Sequence, residues 1–346
     1  MTIGLFAGGR LSLVSGTPVP SGNTTGATTI YLVPFGPQGN IQSIWNGAGM
    51  VHVPYSELSV AVPATRYLPF DIFLQYSAGA LGLTTANFTN NTGTLSNATN
   101  AQPIVITSAS HGMANNDLVG IWNVGGNTAA NGVWSIANVT TNTFELEGSV
   151  GNGAYTSGGS WRQLNTARAT AISYHQGMLV QTADKTKKFL GTCCTTDVQG
   201  ETEQVFTNPG SLLLWNNYNA VLNRFILSDT TSHTYTGTGV RVVRGLNSNV
   251  AKVVTGVVRH SMYYMLSSEF NFDSGDGQVS TGVGRNRTGL INTSTRITDV
   301  GQFRHAGDSF ADEPGNEGFN LFALVEQGAA TSPDFLRGVV RGVIMQ

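Results

Sequence analysis

TTIYLVPFGPQGNIQSIWNGAGMVHVPYSELSVAV, residues 28–62, sets the grammar of the whole chain. Runs at Thr28–Val33, Gln42–Trp45, His52–Tyr55 and Leu58–Val62 alternate or are β-branched, as half-buried strands are. Gly36-Pro37 and Asn46-Gly47 break them, at spacings too short for helices. The same grammar extends upstream, where Gly8-Gly9, Gly16-Thr17-Pro18 and Pro20-Ser21-Gly22 flank Arg10–Val14. It extends downstream to Phe70–Tyr76. The reading is a meander of short antiparallel strands.

Composition agrees. Of 346 residues, Gly, Thr, Asn and Ser make up 139, and charged residues only 11%. An average soluble protein carries about 25%. Solubility therefore rests on hydroxyls and amides, and a helical bundle is excluded because Thr, Asn and Gly are poor helix formers. The net charge of −2 offers duplex nucleic acid no basic footprint. No apolar run approaches the roughly 18 residues of a membrane span, so no membrane insertion is expected. Met1–Arg10 lacks a signal-peptide pattern, and cytoplasmic synthesis is the expectation. The adjacent Cys193 and Cys194 read as two buried thiols, with no disulfide framework and no zinc site.

Charge also marks a boundary. From Ser77 to Ser160 the only charges are Asp117, Glu145 and Glu147. Strand-like runs at Ile104–Thr107, Leu118–Trp122, Gly132–Ile136 and Thr143–Leu146 are joined by Asn/Gly turns, and Trp122, Trp134, Phe144 and Trp161 can supply a core. Residues 89–161 are expected to form an inserted small β-barrel that folds on its own account. Residues 1–88 and 162–346 are expected to form an antiparallel β-sandwich body.

Further strands are expected at Ala169–Tyr174, Met178–Gln181, Lys188–Thr192, Val240–Arg244, Val253–Val258, Met262–Met265, Phe319–Val325 and Leu336–Ile344. One prominent helix is expected over Leu212–Leu227. Pro209-Gly210-Ser211 offers a start signal, and Leu212, Trp215, Tyr218, Leu222, Phe225 and Ile226 recur at spacings of three and four. Its stripe packs on the core or, at Leu212, Trp215, Tyr218 and Leu222, forms a subunit interface.

Catalytic patterns are sparse: there is no G-x-S-x-G, no H-E-x-x-H and no phosphate loop. His111 precedes a Gly and reads as a turn or packing residue. Asp273-Ser274-Gly275-Asp276-Gly277 lacks the closing Glu of a calcium loop. Gly282–Arg287 is glycine-rich without strand-to-helix context. Asp308, Asp312, Glu313 and Glu317 offer carboxylates for glycoside hydrolysis but read as a solvated loop. No catalytic, metal or cofactor residues are assigned. Trp122, Trp134 and Tyr155 are the candidate glycan-facing aromatics.

Two stretches carry resemblances. Pro103–Ser108, Ser110-His111-Gly112-Met113, Gly126–Trp134, Thr143–Leu146 and Gly151–Trp161 resemble a phage module. That module is related to the small β-barrel beside the first catalytic-cysteine half-domain of ubiquitin-activating enzymes; no ATP loop or matching cysteine accompanies it here. The flanks are similar to virion structural or tail-associated proteins of tailed bacteriophages. They are so at Gly9–Leu13, Gly16–Pro20, Ile30–Pro34, Trp45–Gly47, Tyr67–Phe73, Ala167–Thr170, Phe189–Thr192 and Leu214–Asn219. Relatives resembled run from the strand at Phe70 almost straight into the Arg168 segment, which makes Phe88–Trp161 an insertion. The resemblance implies a non-enzymatic virion component, a multimer and by analogy a homotrimer, in contact with other virion proteins. It leaves open a tail or fibre-like appendage, a capsid decoration protein, or an adhesin for host surface glycan.

Overall fold

The computed structural model describes residues 7–36, 39–257, 264–274, 279–286, 295–297, 301–311, 317–328 and 334–345. Among them the regular structure is strands and three single-turn 3₁₀ helices. All strand pairs are antiparallel except Ser211–Leu212 beside Val250–Thr255.

Near the N-terminus, Arg10–Ser12, Thr29–Val33 and Leu58–Ala61 form a three-stranded sheet, and Ile41–Trp45 pairs with Met50–Pro54. Pro69–Ser77 lies between Ala80–Asn87 and Lys187–Cys194 in a six-stranded sheet. Apolar side chains of these sheets meet in one core around Leu11, Ile30, Leu32, Ile44, Ile72 and Leu74. A further sheet runs from Thr24–Ala27 through Val250–Thr255 and Gly318–Gln327 to Thr295–Ile297. The last joins Leu222–Asp229, Asp334–Met345, Tyr264–Ser274 and Gly301–Ala311.

The helix expected over Leu212–Leu227 is absent, and this corrects the sequence reading. Ser211–Leu212 and Leu214–Asn216 are short strands, and Leu222–Asp229 is a third. In the last, Asn223, Phe225, Leu227 and Asp229 are buried while Leu222, Arg224 and Ile226 are exposed, a period of two. Between them the chain bends at Asn219, whose φ is 53°. Asn216 exchanges two hydrogen bonds with the Leu11 backbone, and the Asn219 amide donates to the carbonyls of Ala7 and Gly9 at 2.7 Å each. These amides bond across the fold rather than along a helix, as Asn side chains do when they compete with helical backbone.

The inserted segment forms a sheet of its own, seven strands between Thr92–Thr94 and Asn97–Ala98. It is not a closed barrel, a second correction. Its two edge strands are joined through Leu95-Ser96. Leu95 N donates to Gly159 O and Ser96 N to Thr107 O, so the chain crosses from one edge to the other without the edges pairing. Trp134, Phe144 and Trp161 are buried inside it. Trp161 Nε1 donates to Ser108 Oγ at 2.8 Å, and Phe144 meets Trp161 edge-on with centroids 6.5 Å apart. This sheet shares apolar contacts with the body. Tyr67 lies flat on Gly120, where a Cβ would sit 2.5 Å from the ring, and tilts against Trp122 at 5.9 Å. Asn247 of the body bonds both backbone groups of Val133.

Candidate assembly surface and the buried polar clusters

The four residues expected to form an interface stripe are scattered by the strand geometry. Leu212 and Trp215 are buried in the chain's own core, and Tyr218 is half-buried, so these three make no external stripe. Leu222 is the fourth and is 57% exposed. On the same face of its strand stand Arg224 and Ile226, both exposed. In the neighbouring strand the cross-strand partners of these three are Met345, Val343 and Arg341. An aliphatic pair beside an arginine on the open face of a sheet departs from the usual pattern, in which exposed apolar side chains occur singly.

The outer edge of the Leu222–Asp229 strand is occupied. Asn208 Oδ1 accepts from Ser228 N at 2.8 Å, Asn208 Nδ2 donates to Ser228 O at 2.9 Å, and Gly210 N donates to Ile226 O at 2.9 Å. Asn208 thus stands in for a paired strand. No pattern in the sequence announces this, since Asn208 precedes Pro209 and reads as a turn.

Of the three expected glycan-facing aromatics, one is buried away from any surface. Trp134 is 1% exposed, with Nε1 donating to Ala130 O, so it has no face for a sugar. Trp122 is half-buried against Tyr67, and the half-buried Tyr155 donates its hydroxyl to Gly158 O. His111 packs edge-on against Phe144 and accepts from Met113 N, a packing and turn role. Cys193 and Cys194 are fully buried thiols whose ionisation burial pushes upward.

Titratable groups gather in three clusters. Arg168 Nε bonds Asp71 Oδ2 at 2.8 Å, its Nη1 pairs with Glu317, and its guanidinium lies over the rings of Phe88 and Phe189. Thr192 Oγ1 donates to Asp71 Oδ1 at 2.7 Å. Burial raises the Asp71 carboxyl to about 6 against the opposing pull of Arg168 and Thr192. In the second cluster the buried Glu326 takes His233 Nε2 at 2.5 Å, Arg241 Nε at 2.8 Å and Arg244 N at 3.0 Å. Burial pulls the His233 imidazole down, but the bonds to Glu326 and the Thr231 carbonyl outweigh it and the net shift is upward. In the third, Asp229 accepts from Asn249 at 2.7 Å and pairs with Arg244 at 3.4 Å. Each cluster joins segments far apart in sequence, and each carboxylate is met by cations or amides, as buried charges must be. They read as clasps.

Of the acidic group expected at Asp308, Asp312, Glu313 and Glu317, only the Glu317 side chain is among those described. Glu317 is held by Arg168, and Asp308 lies in the Gly301–Ala311 strand rather than a loop. Asp312 and Glu313 lie outside the described residues, as do Gly275, Asp276 and Gly277. Gly282–Arg285 belong to the Val279–Arg285 strand. Among the described residues no three His, Cys, Asp or Glu converge as metal ligands, and no helix is long and apolar enough to cross a membrane.

No family model and no curated protein matches the chain. Among solved structures, similarity is found to the insecticidal delta-endotoxin Cry8Ea1 of Bacillus thuringiensis at 9% identity and a TM-score of 0.24. The match covers 98% of this chain and 52% of that one, so the chain spans about half the length of the toxin. Similarity to the Gx strain of infectious bursal disease virus has 9% identity and a TM-score of 0.22, covering 95% of this chain and 73% of that one. At these TM-scores neither match bears on fold or function.

Proposed function

We propose that the chain is a non-enzymatic structural component of a tailed bacteriophage virion. It works as a multimer in a tail or fibre-like appendage, where its body sheets pack as an antiparallel sandwich. The observation that carries the multimer is the open apolar face at Leu222 and Ile226, beside Arg224 on one strand. A surface with few charges supports the same reading, because it brings weak self-repulsion and little ionic desolvation when copies meet. The phage assignment is supported by the flanking segments from Gly9 to Asn219 that resemble virion proteins. The saturation of the three charged clusters supports a non-enzymatic role.

Two measurements test this. Light scattering of the purified chain is expected to give a multimer, with a trimer as the stoichiometry proposed. Antibody labelling of intact particles is expected to decorate the tail. A monomer at high micromolar concentration overturns the intrinsic multimer. Hydrolysis of host polysaccharide by the purified chain overturns the non-enzymatic reading.

A further inference from the structure

The Lys188 side chain leaves the Lys187–Cys194 strand toward the Ile41–Trp45 strand of the N-terminal hairpin. Its Nζ donates to Gln42 Oε1 at 2.9 Å and to the Ser43 carbonyl at 3.3 Å, and lies 4.7 Å from the centroid of the Tyr218 ring. Lys188 and Gln42 are each 1% exposed. Gln42 Nε2 donates to the Gly8 carbonyl, which also takes the Tyr55 hydroxyl at 2.9 Å, and the Gln42 side chain hydrogen-bonds that hydroxyl. A small cleft lined by Ala7, Gly9, Leu11, Leu190 and Asn216 opens beside Gln42.

The amine and the carboxamide thus sit together away from bulk water, with the half-buried Tyr55 phenol beside them. Burial brings the Lys188 ammonium down to about 7, so a large fraction is neutral and nucleophilic near neutral pH. Burial pushes the Tyr55 hydroxyl up to about 12, with the Gln42 bond opposing, so it stays protonated, donates to the Gly8 and Gly39 carbonyls and helps hold the Gln42 amide in place. Groups held in contact this way react with effective molarities on the order of 10⁵ M or more when aligned.

We propose that Lys188 and Gln42 join in an intramolecular isopeptide bond. The Lys188 amine lone pair attacks Gln42 Cδ and the Nζ–Cδ bond forms. One proton passes from Nζ to Nε2 as the tetrahedral carbon collapses. The Cδ–Nε2 bond breaks and ammonia leaves through the cleft. One amide replaces another, so no oxidant, reductant or co-reactant is consumed. The bond fastens the N-terminal hairpin to the six-stranded sheet across a sequence separation of 146 residues. A cross-link of that span removes much of the freedom of the unfolded chain, as a long-loop disulfide does.

Intact mass of the full-length chain, measured under denaturing conditions, tests this directly. The expected result is a mass lower by one ammonia than the unmodified chain, with a branched proteolytic peptide joining Gln42 to Lys188. Lys188→Arg and Gln42→Leu are each expected to abolish the ammonia loss and the branched peptide. An unmodified mass after prolonged incubation of the folded wild-type chain above pH 7 overturns the proposal. So does an ammonia loss that maps to an asparagine. The wild-type mass decides even where a variant fails to fold.

Discussion

Phe88 and Arg168 pair across an isolated antiparallel bridge, and the Arg168 guanidinium lies 5.2 Å from the centroid of the Phe88 ring. The inserted sheet leaves the body and returns to it through this pair. The same guanidinium binds Asp71 and Glu317, so one side chain closes the neck of the insertion and links it to the Pro69–Ser77 strand and to the residue that precedes Gly318–Gln327.

Arg168→Ala is therefore expected to destabilise the chain by about 3 kcal/mol or more, because it strands the buried Asp71 carboxylate. Arg168→Lys is expected to recover little, since an ammonium replaces neither the two-sided ion pairing nor the stacking on Phe88 and Phe189. Urea unfolding midpoints compared with wild type measure both. An Arg168→Ala midpoint equal to wild type would show that the neck is held elsewhere.

Shared packing between the insertion and the body makes a second expectation. Gly120→Ala places a methyl group against the Tyr67 ring and is expected to cost about 1–3 kcal/mol by overpacking. Removal of Asn90–Ser160 uncovers Tyr67 and lowers the soluble yield of the body, while the same deletion with Tyr67→Thr recovers part of it. A deletion that leaves yield and thermal midpoint untouched would mean that the two cores are independent.

His233 supplies a pH signature. Its folded-state ionisation lies above the unfolded value of about 6.5. The stabilisation it gains from Glu326 is fully present below that unfolded value and is lost as pH rises through the folded one. His233→Asn is thus expected to cost more stability at about pH 5.5 than at about pH 8.5. Chemical denaturation of both proteins at the two pH values checks this, and an equal cost at both would rule out the imidazolium clasp.

Leu222→Asp with Ile226→Asp is expected to change monomer stability by less than about 0.5 kcal/mol, as exposed positions usually do. Multimer formation should drop sharply, because charge is introduced onto the apolar face. Light scattering and urea titration separate the two effects. A mutant that assembles like wild type moves the interface to another surface.

The strands were legible because their signal is local. Ile104–Thr107, Thr143–Leu146 and Met178–Gln181 end where alternation and turn residues say they should. The error at Leu212–Leu227 has a physical source. Leu212, Trp215 and Tyr218 satisfy a helical period only by crossing from one short strand to another, while Asn216, Asn217 and Asn219 interrupt any helix. Leu222–Asp229, read alone, alternates cleanly. Ala80–Asn87 is hard to read because its alternation is limited to Leu81 and Leu83, after which Thr, Ala and Asn carry little contrast. The clasps were not legible at all. Asp71, Arg168 and Glu317 meet only because three distant segments converge, and no spacing along the chain encodes that.

Asn208 has a consequence for how this chain survives its own abundance. A β-rich polypeptide with few charges gives up the commonest defence against runaway strand-on-strand growth, which is charge placed along open sheet margins. At the margin of Leu222–Asp229 a single side-chain amide takes both backbone groups of Ser228 instead. At that end of the strand a neighbour reaching Ile226 meets the sheet broadside more readily than it extends it. Broadside stacking between copies can close on itself after a fixed number of subunits, whereas strand addition has no natural end. At this margin Asn208 acts as a gatekeeper, favouring finite particles over cross-β fibres.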